Sequence, residues 1–108
     1  MSSPRTDAFQ ALADPTRRAL LLAVAERPQP VNALAKGFAM SRPGVSKHLR
    51  VLAKAGLIEF RASEQDGRQR IVHAELRALA QLDAYLASLR AFWDARLDRL
   101  GNVLGEME

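Results

Sequence analysis

The sequence predicts a mainly α-helical domain that carries a small β-hairpin, and three patterns in its 108 residues support this. Apolar side chains recur at helical spacing through the first half of the chain, in segments separated by proline and glycine. They then alternate with polar side chains on both sides of an Asp-Gly turn, as in paired strands. Beyond the turn, leucines and one tryptophan recur at steps of three and four over 76–104, which predicts one long final helix.

Two short helices are expected first, over 5–12 and about 15–26. The second has a clear start, because Asp14 suits an N-cap and Pro15 suits the first helical position. It should end before Pro28, since proline disfavours a helical residue in front of it. The side chains expected on an apolar face are Phe9 and Leu12 in the first helix and Ala19, Leu20, Ala23 and Val24 in the second.

A third helix is expected over about 31–38, followed by a tight connection into a fourth. Asn32 is an alternative cap for this helix, which would then begin later. Its core residues are expected to be Val31, Leu34, Ala35 and Phe38.

The fourth helix lies within 41–56, and its two faces differ. Ser41 suits its N-cap, Pro43 its first turn and Gly56 the position past its end. No acidic residue occurs in this segment. The apolar face comprises Val45, Leu49 and Leu52, and the opposite face comprises Lys47, Arg50 and Lys54. Two short helices joined by a tight turn, the second of them basic, form the helix-turn-helix pattern.

A β-hairpin is expected next, with a first strand from Ile58 to about Ala62 and a return strand over 69–75. The turn contains Asp66-Gly67, and arginines follow at 68 and 70. A hairpin directly after a basic helix of this kind corresponds to the wing of a winged helix-turn-helix domain. The predicted order is therefore four helices, two strands and a long fifth helix.

The positive charge is concentrated in the middle of the chain. The formal net charge is +4, and it divides into +1 over 1–35, +5 over 36–70 and −2 over 71–108. A solvated basic face is the ordinary interpretation of a charge run, but concentration around one helix favours a nucleic-acid partner.

Several runs resemble the ArsR/SmtB family of bacterial winged-helix transcription regulators: LADPTRRALLLAV, VNALAKGFAMSRPGVSKHLRVLAKAGLI and the Asp-Gly-Arg hairpin. The most specific part is Ser41 through Ile58, and the resemblance covers roughly residues 8–100. The run RAFWDARLDRL resembles a branch of the family without metal-site residues. The resemblance implies a homodimer that reads the DNA major groove with the fourth helix and dimerises through the first and last helices. Many members are repressors released by a signal.

We therefore predict a sequence-specific DNA-binding regulator, most simply a homodimeric repressor on an inverted-repeat operator. Residues near the start of the fourth helix should reach bases, and later cations and the wing should touch the DNA backbone or minor groove. His48 has two interpretations, a contact to the DNA backbone or a bond within the domain. The predicted DNA-binding residues are Arg42, Pro43, Ser46, Lys47, His48, Arg50, Lys54, Arg68 and Arg70.

The long helix carries more apolar surface than a small domain easily covers, so a second copy of the chain is its expected partner. Packing on the chain's own core is the alternative. The predicted dimer residues are Phe9, Leu12, Leu82, Leu86, Leu89, Trp93, Leu97 and Leu100. An unknown small-molecule effector would find its most suitable pocket beside Tyr85, Phe92 and Trp93, although these aromatics more often serve as core or interface.

Other classes of function find little support. The resemblance implies that metal-sensing members use Cys pairs at the third or fourth helix or Asp/His/Glu clusters on the last helix. This chain has no cysteine, and neither histidine lies on the long helix, so no metal or other cofactor is expected. No motif for catalysis occurs, and no apolar run is long enough for a signal peptide or membrane span, which predicts a cytoplasmic protein that is not an enzyme. A winged-helix protein–protein module without DNA binding is the main alternative, and an RNA-binding winged helix is a weaker one.

Overall fold

A computed structural model of the protein describes residues 4–106, which form five helices and three strands. The predicted order of elements is confirmed, with one additional short strand. Residues up to Ala78 form one compact unit, and residues from Leu79 onward form a second. The elements are α1 (Pro4–Ala11), α2 (Pro15–Glu26), β1 (Gln29–Pro30), α3 (Val31–Gly37), α4 (Arg42–Lys54), β2 (Ile58–Ala62), β3 (Arg70–Ala74) and α5 (Leu76–Glu106).

The start of α2 is fixed by the predicted cap. The Asp14 carboxylate accepts hydrogen bonds from the backbone N–H groups of Thr16, at 2.8 Å, and Arg17, at 3.1 Å. The predicted core face of α2 is wrong at Ala19, which is exposed, while Ala23 is only half-buried. The helix is rotated about its axis so that residues 20, 21 and 24 face the core, and residue 19 therefore faces solvent. The buried residues are Leu20, Leu21 and Val24.

The helix α3 begins directly after Pro30, so Asn32 is not its cap. Leu34 and Ala35 are buried as predicted, whereas Val31 and Phe38 are only half-buried. Ala39 ends the helix in the left-handed conformation, with φ of 51°. The Met40 N–H then donates to the Ala35 carbonyl at 3.0 Å, which closes the turn into α4.

The helix α4 is the centre of the compact unit, and it contacts α1, α2, α3 and β2. The Ser41 hydroxyl accepts from the Gly44 N–H at 3.1 Å and caps the helix as predicted. Gly56, just beyond the C-cap, adopts φ of +78°, a conformation that glycine enters without steric cost. The predicted apolar face is confirmed, because Val45, Leu49 and Leu52 have no exposed surface.

The hairpin is part of a three-stranded antiparallel sheet in the order β1-β3-β2. In the hairpin Phe60 pairs with Val72, and in the added strand Gln29 also pairs with Val72. This central position leaves Val72 fully buried. A two-residue strand that contains a proline carries no periodic signal, which is why the sequence did not predict β1.

The long helix α5 spans 31 residues, and none of them is buried. Two ring contacts lie within this helix: Phe92 and Trp93 meet edge to face with centroids 5.9 Å apart, and the Arg96 guanidinium lies 4.4 Å from the centroid of Phe92. Within the described part of the chain, no helix has the length and apolar character that a bilayer crossing requires. The exposed large apolar residues of α5 are Leu76, Leu86, Leu89, Phe92, Trp93, Leu97, Leu100, Val103 and Leu104.

Candidate nucleic-acid interface

The outward face of α4 is cationic along its whole length. Arg42, Lys47, Arg50 and Lys54 are exposed at successive turns, and Ser46 is half-buried among them. The face points outward because the opposite stripe is fully buried, so the register of the helix is fixed. Pro43 is exposed in the first turn beside Gly44. The N-terminal half of α4 therefore presents two bases and a hydroxyl on a rigid support.

A cleft between α4 and the wing brings together five of the nine predicted DNA-binding residues. Its volume is about 510 Å³. The predicted residues that line it are Arg42, Ser46 and Arg50 from α4 and Arg68 and Arg70 from the wing. Its other lining residues are Pro30, Val31, Asn32, Leu49, Phe60, Asp66 and Gln69. Four guanidinium groups thus face one open cleft that contains a single carboxylate.

The carboxylate in the cleft belongs to Asp66, and it stabilises the tip of the wing. The Asp66 side chain accepts from the backbone N–H of Arg68 at 3.0 Å. On the other side of the tip, the Ser63 hydroxyl accepts from the backbone N–H groups of Gln65 and Asp66. The Ser63 N–H donates to the Gln69 carbonyl at 2.9 Å and extends the strand pairing. Side chains of the wing itself therefore hold its tip, and the side chains of Arg68 and Arg70 line the cleft.

The arginines of the cleft differ from the neighbouring Arg61, because Arg61 forms an ion pair and they do not do so with any described residue. Arg61 on β2 forms an ion pair with Glu59, so its charge is largely compensated. Among the residues that the structure describes, none of the cleft arginines forms an ion pair. Uncompensated charges in a concave surface attract a polyanion, and phosphate binding by such groups is the main source of affinity for DNA. The cleft and the α4 face can accordingly hold a phosphate backbone.

The remaining predicted residues lie outside the cleft. Lys54 borders a smaller hollow of about 300 Å³ next to α1. His48 is half-buried on the side of α4 that faces α2, and its Nδ1 lies 3.5 Å from Nη1 of Arg17. Because a guanidinium only donates, Nδ1 is the acceptor in this contact. This bond within the domain is one of the two interpretations that the sequence allowed for His48.

Three residues of interest were not among the predicted site residues. Asn32 and Gln69 line the cleft, and amides can pair with base edges, but an isolated amide in a sequence gives no positional signal. Arg17 contacts α4 through His48, yet in the sequence it looks like any solvated arginine of α2. Over residues 4–106 no group of three or more His, Asp or Glu side chains could hold a metal ion.

Comparison with known proteins places this geometry in a family. Residues 12–60 match the family model described as a helix-turn-helix domain. The chain is 40% identical over 90 residues to the HTH-type transcriptional regulator Rv2034 of Mycobacterium tuberculosis, which covers 83% of this chain and 78% of that protein.

Solved structures have the same fold. An ArsR-like transcriptional regulator from Rhodococcus sp. RHA1 superimposes with a TM-score of 0.77 at 27% identity, over 93% of this chain and 92% of that one. The homodimeric winged helix-turn-helix DNA-binding domain of Mb0332 from Mycobacterium bovis, a possible ArsR-family transcriptional regulator, gives a TM-score of 0.64 at 25% identity, over 79% and 76%. The predicted winged helix-turn-helix fold is confirmed by these similarities.

Proposed function

We propose, from the premise that this chain belongs to the ArsR family of winged helix-turn-helix transcriptional regulators, that it is a homodimeric repressor of an inverted-repeat operator. The observation that carries the proposal is the cleft between α4 and the wing, where four arginines that form no ion pair with a described residue face the same space. The proposal assigns DNA reading to α4 and backbone clamping to the wing.

The proposed roles follow the position of each side chain along α4. Arg42, Ser46 and Lys47 lie in its first turns and read base edges, since a recognition helix contacts bases mainly through its N-terminal half. Pro43 lacks a donor and allows close approach to the groove. The cations assigned to phosphates and the adjacent minor groove are Arg50, Lys54, Arg68 and Arg70.

The proposed dimer uses the apolar surface of the terminal helices. Leu97 is 61% exposed and Trp93 is 58% exposed, values at which large apolar side chains gain much from a partner. The similarity to a homodimeric domain supports the same assembly here. Residues 1–108 then act as one DNA-binding domain. Its interface residues are Phe9 from α1, Leu12 directly after α1, and Leu82, Leu86, Leu89, Trp93, Leu97 and Leu100 from α5. A two-fold dimer presents its α4 helices about one DNA turn, roughly 34 Å, apart.

Titration of the purified protein against the DNA upstream of its own coding sequence tests the proposal. We expect binding to an inverted repeat whose affinity falls steeply as salt is raised, because each phosphate contact releases counterions. In a reporter assay, the bound promoter should be less active with the protein than without it. Affinity that is independent of salt, or higher promoter activity, would contradict the proposal.

A pair of charge-matched double variants separates a specific site from general attraction. Lys47→Ala with Arg50→Ala removes two cations from α4, and we expect a loss of binding of at least about thirtyfold, since two contacts at about 1–3 kcal/mol each are removed. The control, Arg27→Ala with Lys36→Ala, removes the same charge from exposed positions outside the cleft. Equal losses in the two variants would mean that α4 is not the reader.

A further inference from the structure

The guanidinium of Arg17 joins three elements of the compact unit. Its Nε donates to the Ala11 carbonyl at the end of α1, at 2.6 Å, and its Nη2 donates to the Gln10 carbonyl at 3.4 Å. Its Nη1 lies 4.0 Å from the carboxylate of Asp14, the cap of its own helix α2. The same Nη1 lies 3.5 Å from Nδ1 of His48 on α4. One side chain therefore touches α1, the start of α2 and α4.

The surroundings of Arg17 do not suit a DNA contact. Its side chain is only 19% exposed, and each of its three guanidinium nitrogens already has a partner in the protein. It also does not line the cleft between α4 and the wing. An arginine that is mostly buried with its donors in use fixes the elements around it, because its planar fork restricts their relative positions.

Two of the helices that Arg17 joins have a part in the proposed function: α1 in the dimer and α4 in DNA binding. The carbonyls of Gln10 and Ala11 lie between Phe9 and Leu12, which are assigned to the dimer interface. His48 lies next to Lys47 on α4, which is assigned to the bases. The position of α4 relative to α1 sets where each reading helix lies in the dimer, and hence the half-site spacing that it can match.

We infer that Arg17, through His48, is a positioning residue that holds the recognition helix α4 at a fixed place relative to α1. The inference rests on the proposed function for its effect on DNA. In this role His48 accepts the hydrogen bond from Arg17, and it supports DNA binding by holding α4 in position. Arg17 itself touches neither bases nor phosphates.

The adjacent Arg18 provides a matched control. Its Nη1 donates to the carbonyls of Leu12, at 2.9 Å, and Ala13, at 3.2 Å. It therefore stabilises the same α1–α2 connection, but no hydrogen bond or ion pair joins it to a described residue of α4. Arg17→Lys and Arg18→Lys both keep the positive charge and remove the planar fork, so they differ mainly in the link to α4.

Operator titrations over a range of salt concentrations test the inference. We expect Arg17→Lys to weaken binding about tenfold, the size of one lost hydrogen bond to a charged donor, and Arg18→Lys to change it less than about twofold. The slope of log affinity against log salt should be unchanged in both variants, because no phosphate contact is lost. A slope reduced by about one unit in Arg17→Gln, which removes the charge that Arg17→Lys keeps, would identify a phosphate contact and overturn the inference, as would equal affinities of Arg17→Lys and Arg18→Lys.

Two variants of His48 test the same link from its other end. In His48→Asn the amide oxygen can replace Nδ1 as the acceptor, whereas His48→Leu leaves none. We expect His48→Asn to bind within about threefold of the unmodified protein and His48→Leu to lose about tenfold. Adding Arg17→Lys to His48→Leu should cause little further loss, since the two changes break one interaction. Additive losses would show that the residues act separately.

Hydrogen exchange without DNA separates this inference from the proposed function. We expect the backbone amides of α4 to exchange faster in Arg17→Lys than in Arg18→Lys. Equal exchange in the two variants would refute the positioning role even if the operator is bound. Failure of the unmodified protein to bind any operator would refute the proposed function alone, because the exchange measurement does not depend on DNA.

Discussion

The helices α4 and α5 are both amphipathic, but α4 has a buried apolar side, whereas no residue of α5 is buried. Leu49 on α4 has no exposed surface, whereas Leu97 on α5 is 61% exposed. The outer face of α4 is cationic, and the exposed stripe of α5 is apolar. The same helical period thus leaves two different surfaces, one suited to a polyanion and one suited to another apolar surface.

This difference separates the energetics of folding from those of assembly. The apolar residues of α4 hold the compact unit together, so their contribution should not depend on protein concentration. The exposed apolar residues of α5, such as Leu97 and Trp93, are covered further only by a partner, so their contribution should grow with concentration. Substitutions of the same type in the two helices therefore have different expected effects.

The largest expected effect is the loss of the α4 core in Leu49→Ala. Removing a fully buried leucine side chain leaves a cavity, and such changes cost about 2–5 kcal/mol of unfolding free energy. We expect this loss in urea denaturation at every protein concentration. The control, Leu97→Ala, removes the same atoms from an exposed site and should stay within about 0.5 kcal/mol in dilute protein. Equal losses in dilute solution would show that α5 is packed within the monomer, and the comparison between the two helices would fail.

The next effect concerns assembly and tests the α5 stripe directly. Leu97→Glu places a charge in the proposed interface, and we expect the dimer dissociation constant to rise at least about a hundredfold in sedimentation experiments. Leu22→Glu is the matched control, because Leu22 on α2 is 67% exposed and lies outside the proposed interface. A dimer that is unchanged in Leu97→Glu, or lost equally in Leu22→Glu, would exclude α5 as the interface.

Much of the fold was predictable because its signals are local. The cap at Ser41, the apolar stripe at Val45 and Leu49 and the position of Gly56 just past the helix are all encoded within a few residues, and all are confirmed. The strand β1 was not predictable, since two residues show no period and depend on Val72, which lies far along the chain. The rotation of α2 that exposes Ala19 also depends on tertiary packing.

The candidate site was predictable in composition but not in arrangement. The charge balance of the middle third identified the cations, and four of them, Arg42, Arg50, Arg68 and Arg70, do lie around one cleft. The link from Arg17 to His48 was not visible, because the two residues are 31 positions apart and neither belongs to a spaced motif. The two side chains come together only when α2 packs against α4. The assignments of individual residues to DNA and to the dimer remain predictions.

The smallest expected effect is a response to pH in the compact unit. The backbone N–H of Arg17 is the main cause that lowers the pKa of Asp14 from its ordinary value of 3.8, with further lowering by the N–H of Thr16 and the nearby charge of Arg17. Because the folded-state pKa is the lower one, the stabilisation is fully present above the unfolded-state pKa and is lost as pH falls through the folded-state pKa.

We therefore expect the thermal midpoint to fall less between about pH 6 and pH 3 in Asp14→Asn than in the unmodified protein, since an asparagine caps the helix without titrating. Asp98→Asn is the control on α5, because Asp98 accepts no hydrogen bond from the described residues. Its pH dependence should match that of the unmodified protein. If Asp14→Asn and Asp98→Asn respond alike, the acid sensitivity is a general charge effect and does not originate in the cap of α2. A difference confined to Asp14→Asn would place it in the compact unit that supports α4.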